Sequence, residues 1–254
     1  MTYRPFCIAL ALAACLIGCV SGPDSTKDKE MEKQPLSYTV SKLKGPIQID
    51  GNWDKPAWKV VPAVTIQKHM GEKPDHRPKV QAKLAYDDKA VYVIYRVEDR
   101  YVRAVAKKVN DSVCRDSCVE FFFTPGTDIG LSYLNIEVNC GGTILFGWHP
   151  EGGKAVRVTE ADCNKIEVGH SLPKIVEPEI TTPTTWTLEY RLPFEVVKKY
   201  CTKATNPAPG VIWRANLYKC ADATSHPHWL TWSYVEYPRP RFHMPQFFGT
   251  LKFE

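Results

Sequence analysis

The chain has 254 residues, a formal net charge of +5 and a charged fraction of 24%. Its basic residues are scattered among acidic ones, so the composition does not indicate a protein that binds nucleic acid. The sequence contains no Gly-x-Ser-x-Gly elbow, His-Glu-x-x-His helix or phosphate loop, and it therefore gives no support to the enzyme classes that depend on these motifs.

The N-terminus predicts export. An apolar segment, Phe6 to Ile17, follows Arg4 and leads into Gly18-Cys19. This segment is too short to span a bilayer, but it fits the apolar region of a secretory signal, and the small residue before the cysteine suits cleavage there. We expect residues 1–18 to be a bacterial lipoprotein signal peptide and Cys19 to carry the lipid. An uncleaved anchor and an ordinary signal peptide are the alternatives, and both also export the protein to the cell envelope.

The residues after Cys19 divide into a tether and a domain. Residues 19–37 contain few apolar side chains, so they cannot bury enough surface to offset the entropy of ordering, and we predict a flexible tether. Residues 38–254 contain no linker-like break and predict one domain attached to the membrane through the lipid.

The domain is predicted to be all-β, because runs of β-branched and aromatic residues alternate with turn signals such as Asp87-Asp88 and Gly141-Gly142. One short helix is predicted after Pro193, over residues 194–200. The expected class is an antiparallel β-sandwich with jelly-roll-like connections. The predicted strands cover residues 79–86, 91–97, 118–124, 133–140, 143–148, 186–192, 211–220 and 247–253.

Of the nine cysteines, Cys7 and Cys15 leave with the signal peptide and Cys19 takes the lipid. The even remainder in an exported protein predicts up to three disulfides, or else buried free thiols, with the pairing left open. A thiolate metal site competes with these interpretations, although no Cys-x-x-Cys pair occurs. The cysteines that remain are Cys114, Cys118, Cys140, Cys163, Cys201 and Cys220.

Alternation with period two predicts the faces of the strands. In residues 211–220, Trp213 and Leu217 share one face, while Asn216 and Tyr218 share the other. Residues 116–123, 134–140 and 186–192 alternate in the same way. If these strands are neighbours, their sheet has a polar second face, which suits a hydroxyl-rich ligand such as a sugar because each hydroxyl both donates and accepts hydrogen bonds. A solvated sheet face predicts the same alternation.

The stretch from Ile49 to Trp58 resembles the opening motif of family 9 carbohydrate-binding modules, which belong to the DOMON-like superfamily of β-sandwiches. Further motifs resemble the family in the family's own order, so that the resemblance covers nearly all of the mature domain. They occupy residues 84–93, 116–122, 133–139, 186–194, 213–216 and 242–249.

This resemblance implies a non-catalytic carbohydrate-binding domain, associated with polysaccharide-processing enzymes and containing structural calcium in some members. It also implies a site in which two tryptophans grip a terminal sugar ring, with an acidic residue at Glu120 and an asparagine at Asn216 helping them. The chain has Cys114 and Lys219 at the positions of those tryptophans, so other aromatic residues would have to replace them.

The predicted site therefore combines polar side chains with new stacking surfaces. Trp229 and Trp232 are further aromatic alternatives, whereas the tryptophans within fold motifs, such as Trp58 and Trp213, are expected in the core. A protein–protein or envelope-assembly module that kept the fold and lost the sugar site is the alternative function. The predicted sugar-binding residues are Asp116, Glu120, Glu137, Asn139, Arg214 and Asn216 for hydrogen bonds, with Trp148 and Tyr218 for stacking.

Two less favoured functions stay open at this point. Glu120 and Glu137 could act as a glycosidase pair if their carboxyl groups lay about 5 to 10 Å apart. A haem-binding DOMON-like domain would need a Met and a His as axial ligands, but His243 and Met244 are adjacent and point apart on a strand.

The chain also offers candidate ligands for structural calcium. Asp87, Asp88 and Asp99 lie near predicted turns and supply the oxygen ligands that calcium prefers. Aspartates at turns more commonly cap their own backbone.

Overall fold

The computed structural model describes residues 1–2 and 34–254. Cys19 and nearly all of the predicted signal peptide and tether lie outside these residues. From residue 34 onward the chain forms one compact unit. Within the described residues, no helix has the length and apolar character needed to cross a bilayer.

The described chain is built from strands joined by turns and by three one- or two-turn helices. The helices are α1 (Pro56–Lys59), α2 (Glu160–Cys163) and α3 (Phe194–Tyr200). The strands are β1 (Ser37–Lys42), β2 (Val64–Ile66), β3 (Lys68–His69), β4 (Lys79–Tyr86), β5 (Ala90–Asp99), β6 (Val102–Ala104), β7 (Cys118–Thr124), β8 (Tyr133–Asn139), β9 (Ile144–His149), β10 (Val156–Arg157), β11 (Glu167–His170), β12 (Val176–Ile180), β13 (Thr184–Pro193), β14 (Ile212–Cys220), β15 (Trp229–Thr231) and β16 (Gly249–Phe253).

These strands form two layers, which confirms the predicted β-sandwich. The first layer, sheet A, has the order β10-β9-β8-β7-β14-β16, and the second, sheet B, has the order β4-β5-β13-β11. Strand β1 belongs to both layers, because residues 37–40 pair with β16 and residues 41–42 pair with β4. Both pairings of β1 are parallel, whereas the sequence predicted antiparallel strands throughout.

The long predicted strands appear with little change, and α3 has the predicted bounds. The strand predicted from residue 247 begins at Gly249, because a single 3₁₀ turn, Pro245–Phe247, precedes it. The one-turn helix α1 was not predicted, although Pro56 at its first position is favourable there. The two- and three-residue strands were also missed, since segments this short carry no readable period.

The core lies between the inner faces of the two sheets. Trp213 and Phe121 of sheet A and Trp186 of sheet B are all almost completely buried there. The period-two faces are as predicted, but the patterned strands do not share one sheet. Strands β7, β8 and β14 are neighbours in sheet A, whereas β13 lies across the core in sheet B.

The segment from Ile49 to Trp58 covers the outer face of sheet B and is held by one buried carboxylate. Glu189 of β13 accepts hydrogen bonds from the Gly51 amide at 2.9 Å, the Trp58 indole N–H at 2.8 Å and the Asp50 amide at 3.1 Å. The Lys55 ammonium lies 2.8 Å from the same carboxylate. This motif therefore closes one side of the sandwich.

Candidate functional site

A second covering segment, residues 234–248, lies across the outer face of sheet A, and we call it the strap. Its Phe242 stacks on Tyr218 of β14 with ring centroids 4.1 Å apart, and the Tyr218 hydroxyl donates to the Phe242 carbonyl at 3.1 Å. The Tyr133 hydroxyl is hydrogen-bonded to His243 Nδ1 at 2.8 Å. Tyr218, predicted as a sugar platform, thus packs against the protein's own chain.

Two more predicted sugar-binding residues of β14 also bind the chain itself. Arg214 donates to the carbonyls of Gln246 and Phe248, both at 3.2 Å. Asn216 is fully buried, donates to the Ser233 carbonyl at 3.0 Å and accepts from the Ser233 amide at 2.8 Å. The hydrogen-bonding groups expected to meet a ligand therefore hold the strap and the residue that precedes it.

Asp116 and Asn139 form a third internal contact. Asp116 Oδ2 accepts from the backbone amides of Val105 and Ala106 at 3.0 and 2.9 Å and from the Asn139 side chain at 2.8 Å. Asn139 Oδ1 accepts from the Thr143 amide at 2.8 Å. Both side chains are fully buried, so the structure assigns them to loop anchoring and does not bring them to an open surface.

One part of this face stays open beside the strap. It is a cavity of about 250 Å³ between β7, β8, the residues after β14 and the strap, and we call it the carboxyl pocket. Of the predicted residues, Glu120 and Glu137 line it. The other lining residues are Cys114, Phe122, Cys220, Asp222, Trp229, Pro240, Arg241, Phe242 and His243.

Burial shifts the two glutamates of the carboxyl pocket towards their neutral forms. Glu120 and Glu137 are cross-strand partners on β7 and β8, and they are only 2% and 6% exposed. Burial, with a smaller contribution from the Glu137 charge, holds the pKa of Glu120 well above its usual range. Burial raises the pKa of Glu137 to about 7. A neutral carboxyl group both donates and accepts hydrogen bonds, which matches the requirement of a hydroxyl-rich ligand.

Two further side chains line the pocket: Trp229 forms an aromatic wall, and His243 provides a neutral imidazole. The Trp229 indole N–H donates to Asp222 Oδ1 at 2.7 Å, which fixes the ring at the pocket. Burial lowers the pKa of His243 to about 4, with the neighbouring His149 contributing. Sequence patterning missed Asp222 and His243 because they lie in loops, whereas Trp229, at the start of β15, was among the aromatic alternatives.

Trp148, predicted as a stacking surface, lies elsewhere. It shares the inner face of β9 with Phe146, so it emerges on the opposite side of sheet A from Glu120. There it lines a separate cleft of about 480 Å³ with Tyr200 and Glu151. The structure therefore does not combine Trp148 with the other predicted site residues.

The two residues at the positions of the family's tryptophans, Cys114 and Lys219, lie in different places. Cys114 lines the carboxyl pocket, whereas Lys219 is fully buried on the inner face of β14. Its ammonium lies 2.7 Å from His228 Nε2 and 3.6 Å from Asp99 Oδ2. Lys219 consequently neither blocks nor lines the pocket, and Asp99 is paired inside the domain.

The predicted calcium ligands do not form a shared site. Asp87 Oδ1 accepts from the backbone amides of Lys89 and Ala90, both at 2.8 Å, which is the ordinary capping of a turn. Asp88 pairs with Lys42 at 2.6 Å on the surface. Because each carboxylate, including that of Asp99, already has a protein partner, these aspartates do not fit a calcium ion.

The cysteines that the structure describes are all unpaired, and all except the half-buried Cys114 are buried. The expected disulfides are thus not observed, and the alternative of buried free thiols describes these residues. Within the described chain, one group of side chains has the spacing to hold a metal ion: Cys118, Glu120 and Cys220.

Comparison with known proteins identifies the family. The family model described as carbohydrate-binding family 9 matches residues 57–253. The chain belongs to carbohydrate-binding family 9. The predicted resemblance is thereby confirmed over most of the domain. A search of curated protein sequences found no match.

Solved structures of family 9 and related proteins share the fold. A candidate carbohydrate-binding protein from Bacteroides uniformis is 27% identical, with a TM-score of 0.78 over 87% of this chain and 100% of that one. A family 9 module from Caldicellulosiruptor kristjanssonii in complex with cellotriose is 17% identical, with a TM-score of 0.58 over 86% of this chain and 94% of that one. A family 9 module from the same organism in complex with glucose is also 17% identical, with a TM-score of 0.58 over 86% of this chain and 96% of that one.

Proposed function

We propose that this protein binds carbohydrate without chemically changing it, and that the carboxyl pocket is its sugar site. The observation that carries the proposal is the pocket itself. It lies open beside the strap, and it combines aromatic side chains with glutamates whose pKa burial raises. Membership of carbohydrate-binding family 9 and the fold shared with sugar complexes support the same function.

The pocket offers both kinds of contact that a sugar ring needs. Trp229 and Phe242 present aromatic surface, which packs against the apolar C–H face of a ring. Glu120, Glu137 and Arg241 can hydrogen-bond to the ring hydroxyls. A volume of about 250 Å³ is below the roughly 300 to 1,000 Å³ of pockets that enclose larger ligands, which favours one terminal ring over an enclosed chain.

The placement of the two glutamates supports binding over hydrolysis. A glycosidase needs one protonated and one ionised carboxyl group, placed on either side of the bond that breaks. Here both glutamates project side by side from neighbouring strands of one sheet face, so they lie on the same side of any ligand in the pocket. The pair is therefore better suited to hydrogen bonding than to nucleophilic attack.

Calorimetric titration of the purified protein with glucose, cellotriose and a broader sugar panel tests the proposal. We expect binding that Trp229→Ala weakens at least tenfold, because the aromatic wall is lost. Repeating the titration with borohydride-reduced sugars asks whether a closed terminal ring is required.

Trp148→Ala is the matched control that distinguishes the carboxyl pocket from the cleft beside Tyr200. Trp148 is also a half-buried tryptophan, but it lines that cleft. Loss of binding in this variant but not in Trp229→Ala would move the site to that cleft. An absence of binding across the whole panel would overturn the proposal and favour the protein–protein or envelope-assembly alternative.

For its location, we propose that the protein is exported and attached to the bacterial envelope through a lipid on Cys19. The support is the apolar segment that ends at Gly18-Cys19. Metabolic labelling with a radioactive fatty acid should mark the wild-type protein and leave Cys19→Ser unlabelled. Equal labelling of both would refute the lipid site. Polysaccharide-processing enzymes in the same envelope are the partners that this location and function favour.

A further inference from the structure

Two thiols and a carboxyl group meet at the inner end of the carboxyl pocket. Cys118 and Cys220 are directly opposite each other on β7 and β14, and Glu120 follows Cys118 on the same face. The three side chains are at most 2% exposed, and their ligand atoms all lie within 4.8 Å of one another. The Cys220 thiol lies 3.1 Å from Glu120 Oε1.

The strand pairing disfavours a disulfide between these thiols. The Cys140 amide donates to the Ser117 carbonyl, so Ser117 faces β8 and the backbone of its neighbour Cys118 faces β14. Cys118 and Cys220 are consequently a hydrogen-bonded pair, for which Cα atoms are about 5.5 Å apart. Such pairs hold Cβ atoms about 5 Å apart, wider than the roughly 3.5 to 4.5 Å of a disulfide. The sulfurs are thus held side by side.

We propose that Cys118, Cys220 and Glu120 bind a thiophilic divalent ion, best represented by Zn²⁺. Zinc accepts thiolate and carboxylate ligands together, and Zn–S bonds of about 2.3 Å put tetrahedral ligands about 3.8 Å apart, within the observed spread. Binding releases three protons to solvent, two from the thiols and one from the buried Glu120 carboxyl group, so that two thiolates and one carboxylate face the metal.

The fourth coordination position opens to the carboxyl pocket, because Glu120 and Cys220 also line that cavity. The metal would join β7 to β14 at this end of the pocket and fix Glu120. The proposed site shares Glu120 with the sugar site but does not depend on sugar binding, since its ligands are all protein side chains.

Titration of the reduced protein with Co²⁺ tests the metal site by a direct optical signal. We expect thiolate-to-cobalt charge-transfer absorption that saturates at one equivalent and disappears when Zn²⁺ displaces Co²⁺. Cys118→Ser and Cys220→Ser should each abolish this band. Cys163→Ser and Cys201→Ser are matched controls, because both thiols are buried outside the cluster, and they should retain it.

Glu120→Gln provides a variant with nearly unchanged shape, and we expect it to weaken Co²⁺ binding about tenfold or more while the thiolate band survives. The wild-type titration alone decides the main point, even if a cysteine variant fails to fold. No charge-transfer band in the reduced wild type, a band equally lost in Cys163→Ser, or a Cys118–Cys220 disulfide found by mass spectrometry would overturn the proposal. Since no sugar enters the assay, its failure is separate from failure of the proposed function.

Discussion

The two outer faces of the sandwich each contain a buried glutamate under a covering segment, yet the two carboxyl groups differ. Glu189 on sheet B accepts from two backbone amides and an indole and pairs with the Lys55 ammonium. Glu120 on sheet A meets the Cys220 thiol and the open pocket. A buried carboxylate whose oxygens are held by several donors is part of the fold, whereas Glu120 accepts from one thiol and also faces the pocket, where a ligand can reach it.

The two covering segments explain this difference. The segment over sheet B brings a lysine, an indole and free amides to its glutamate. The strap over sheet A contains Pro238, Pro240 and Pro245, which have no backbone N–H to donate. Its main contacts are the stacking of Phe242 and the carbonyls that accept from Arg214 and Tyr218. The strap thus covers the face mainly by packing, and the hydrogen bonds to Glu120 and Glu137 come from Cys220 and Asn135 of sheet A instead.

The largest expected effect is the difference in stability between the variants Glu189→Gln and Glu120→Gln. Glu189→Gln should lower the free energy of unfolding by about 3 kcal/mol or more, because it breaks a buried pair with Lys55 and its hydrogen bonds. Glu120→Gln should leave stability unchanged or raise it at neutral pH, since burial penalises its charge. Urea denaturation of both variants measures the contrast. Equal losses would remove the distinction between the two faces.

A smaller effect should appear in the pH dependence of stability. The pKa of Glu137 is raised from 4.5 to about 7, so its contribution is fully present below about pH 4.5 and is lost as the pH rises through about 7. Between about pH 5 and pH 8 the wild type should lose on the order of 2 kcal/mol from this group. Glu137→Gln should remove that part of the slope in urea midpoints.

Glu72→Gln serves as the control for the pH experiment, because Glu72 is exposed on the surface. Its stability profile should follow the wild type. A slope that is the same in Glu137→Gln and in wild type would mean that Glu137 titrates normally in the folded protein.

The smallest expected effect concerns how the strap is held. Tyr218→Phe keeps the stacking on Phe242 but removes the hydrogen bond to its carbonyl, so it should cost about 1 kcal/mol. Tyr237→Phe, with an exposed hydroxyl contact to Arg241, should change stability by less than about 0.5 kcal/mol. If the two variants behave alike in thermal or urea unfolding, Tyr218 does not hold the strap.

The faces of the long strands could be predicted because side chains alternate along a strand whatever its neighbours are. Val119 and Phe121 point inward and Glu120 outward, as the alternation indicates. Alternation also assigned Glu137 correctly to the outer face. It could not show that β13, with Glu189, lies in the opposite sheet, because strand order depends on contacts distant in sequence.

The site was only partly predictable for a related reason. The pattern shows that Asn216 and Tyr218 face outward, but a solvated face, a ligand-binding face and a face covered by the chain itself have the same pattern. The strap begins at residue 234, well after β14 ends at Cys220, and nothing in the strand pattern indicates where it packs. The carboxyl pocket is the part of this face that the strap leaves uncovered. Its outline could therefore be seen only in the three-dimensional structure.

Under the attachment proposed through Cys19, strand β1 would have a mechanical consequence. Tension between that attachment and a glycan held at β7 and β8 would enter the domain along β1. Residues 37–40 transfer it to β16 and residues 41–42 transfer it to β4, so both sheets would share the load. Peeling the first strand away would require breaking its bonds to both layers, so β1 would reinforce the end of the domain nearest to the proposed attachment.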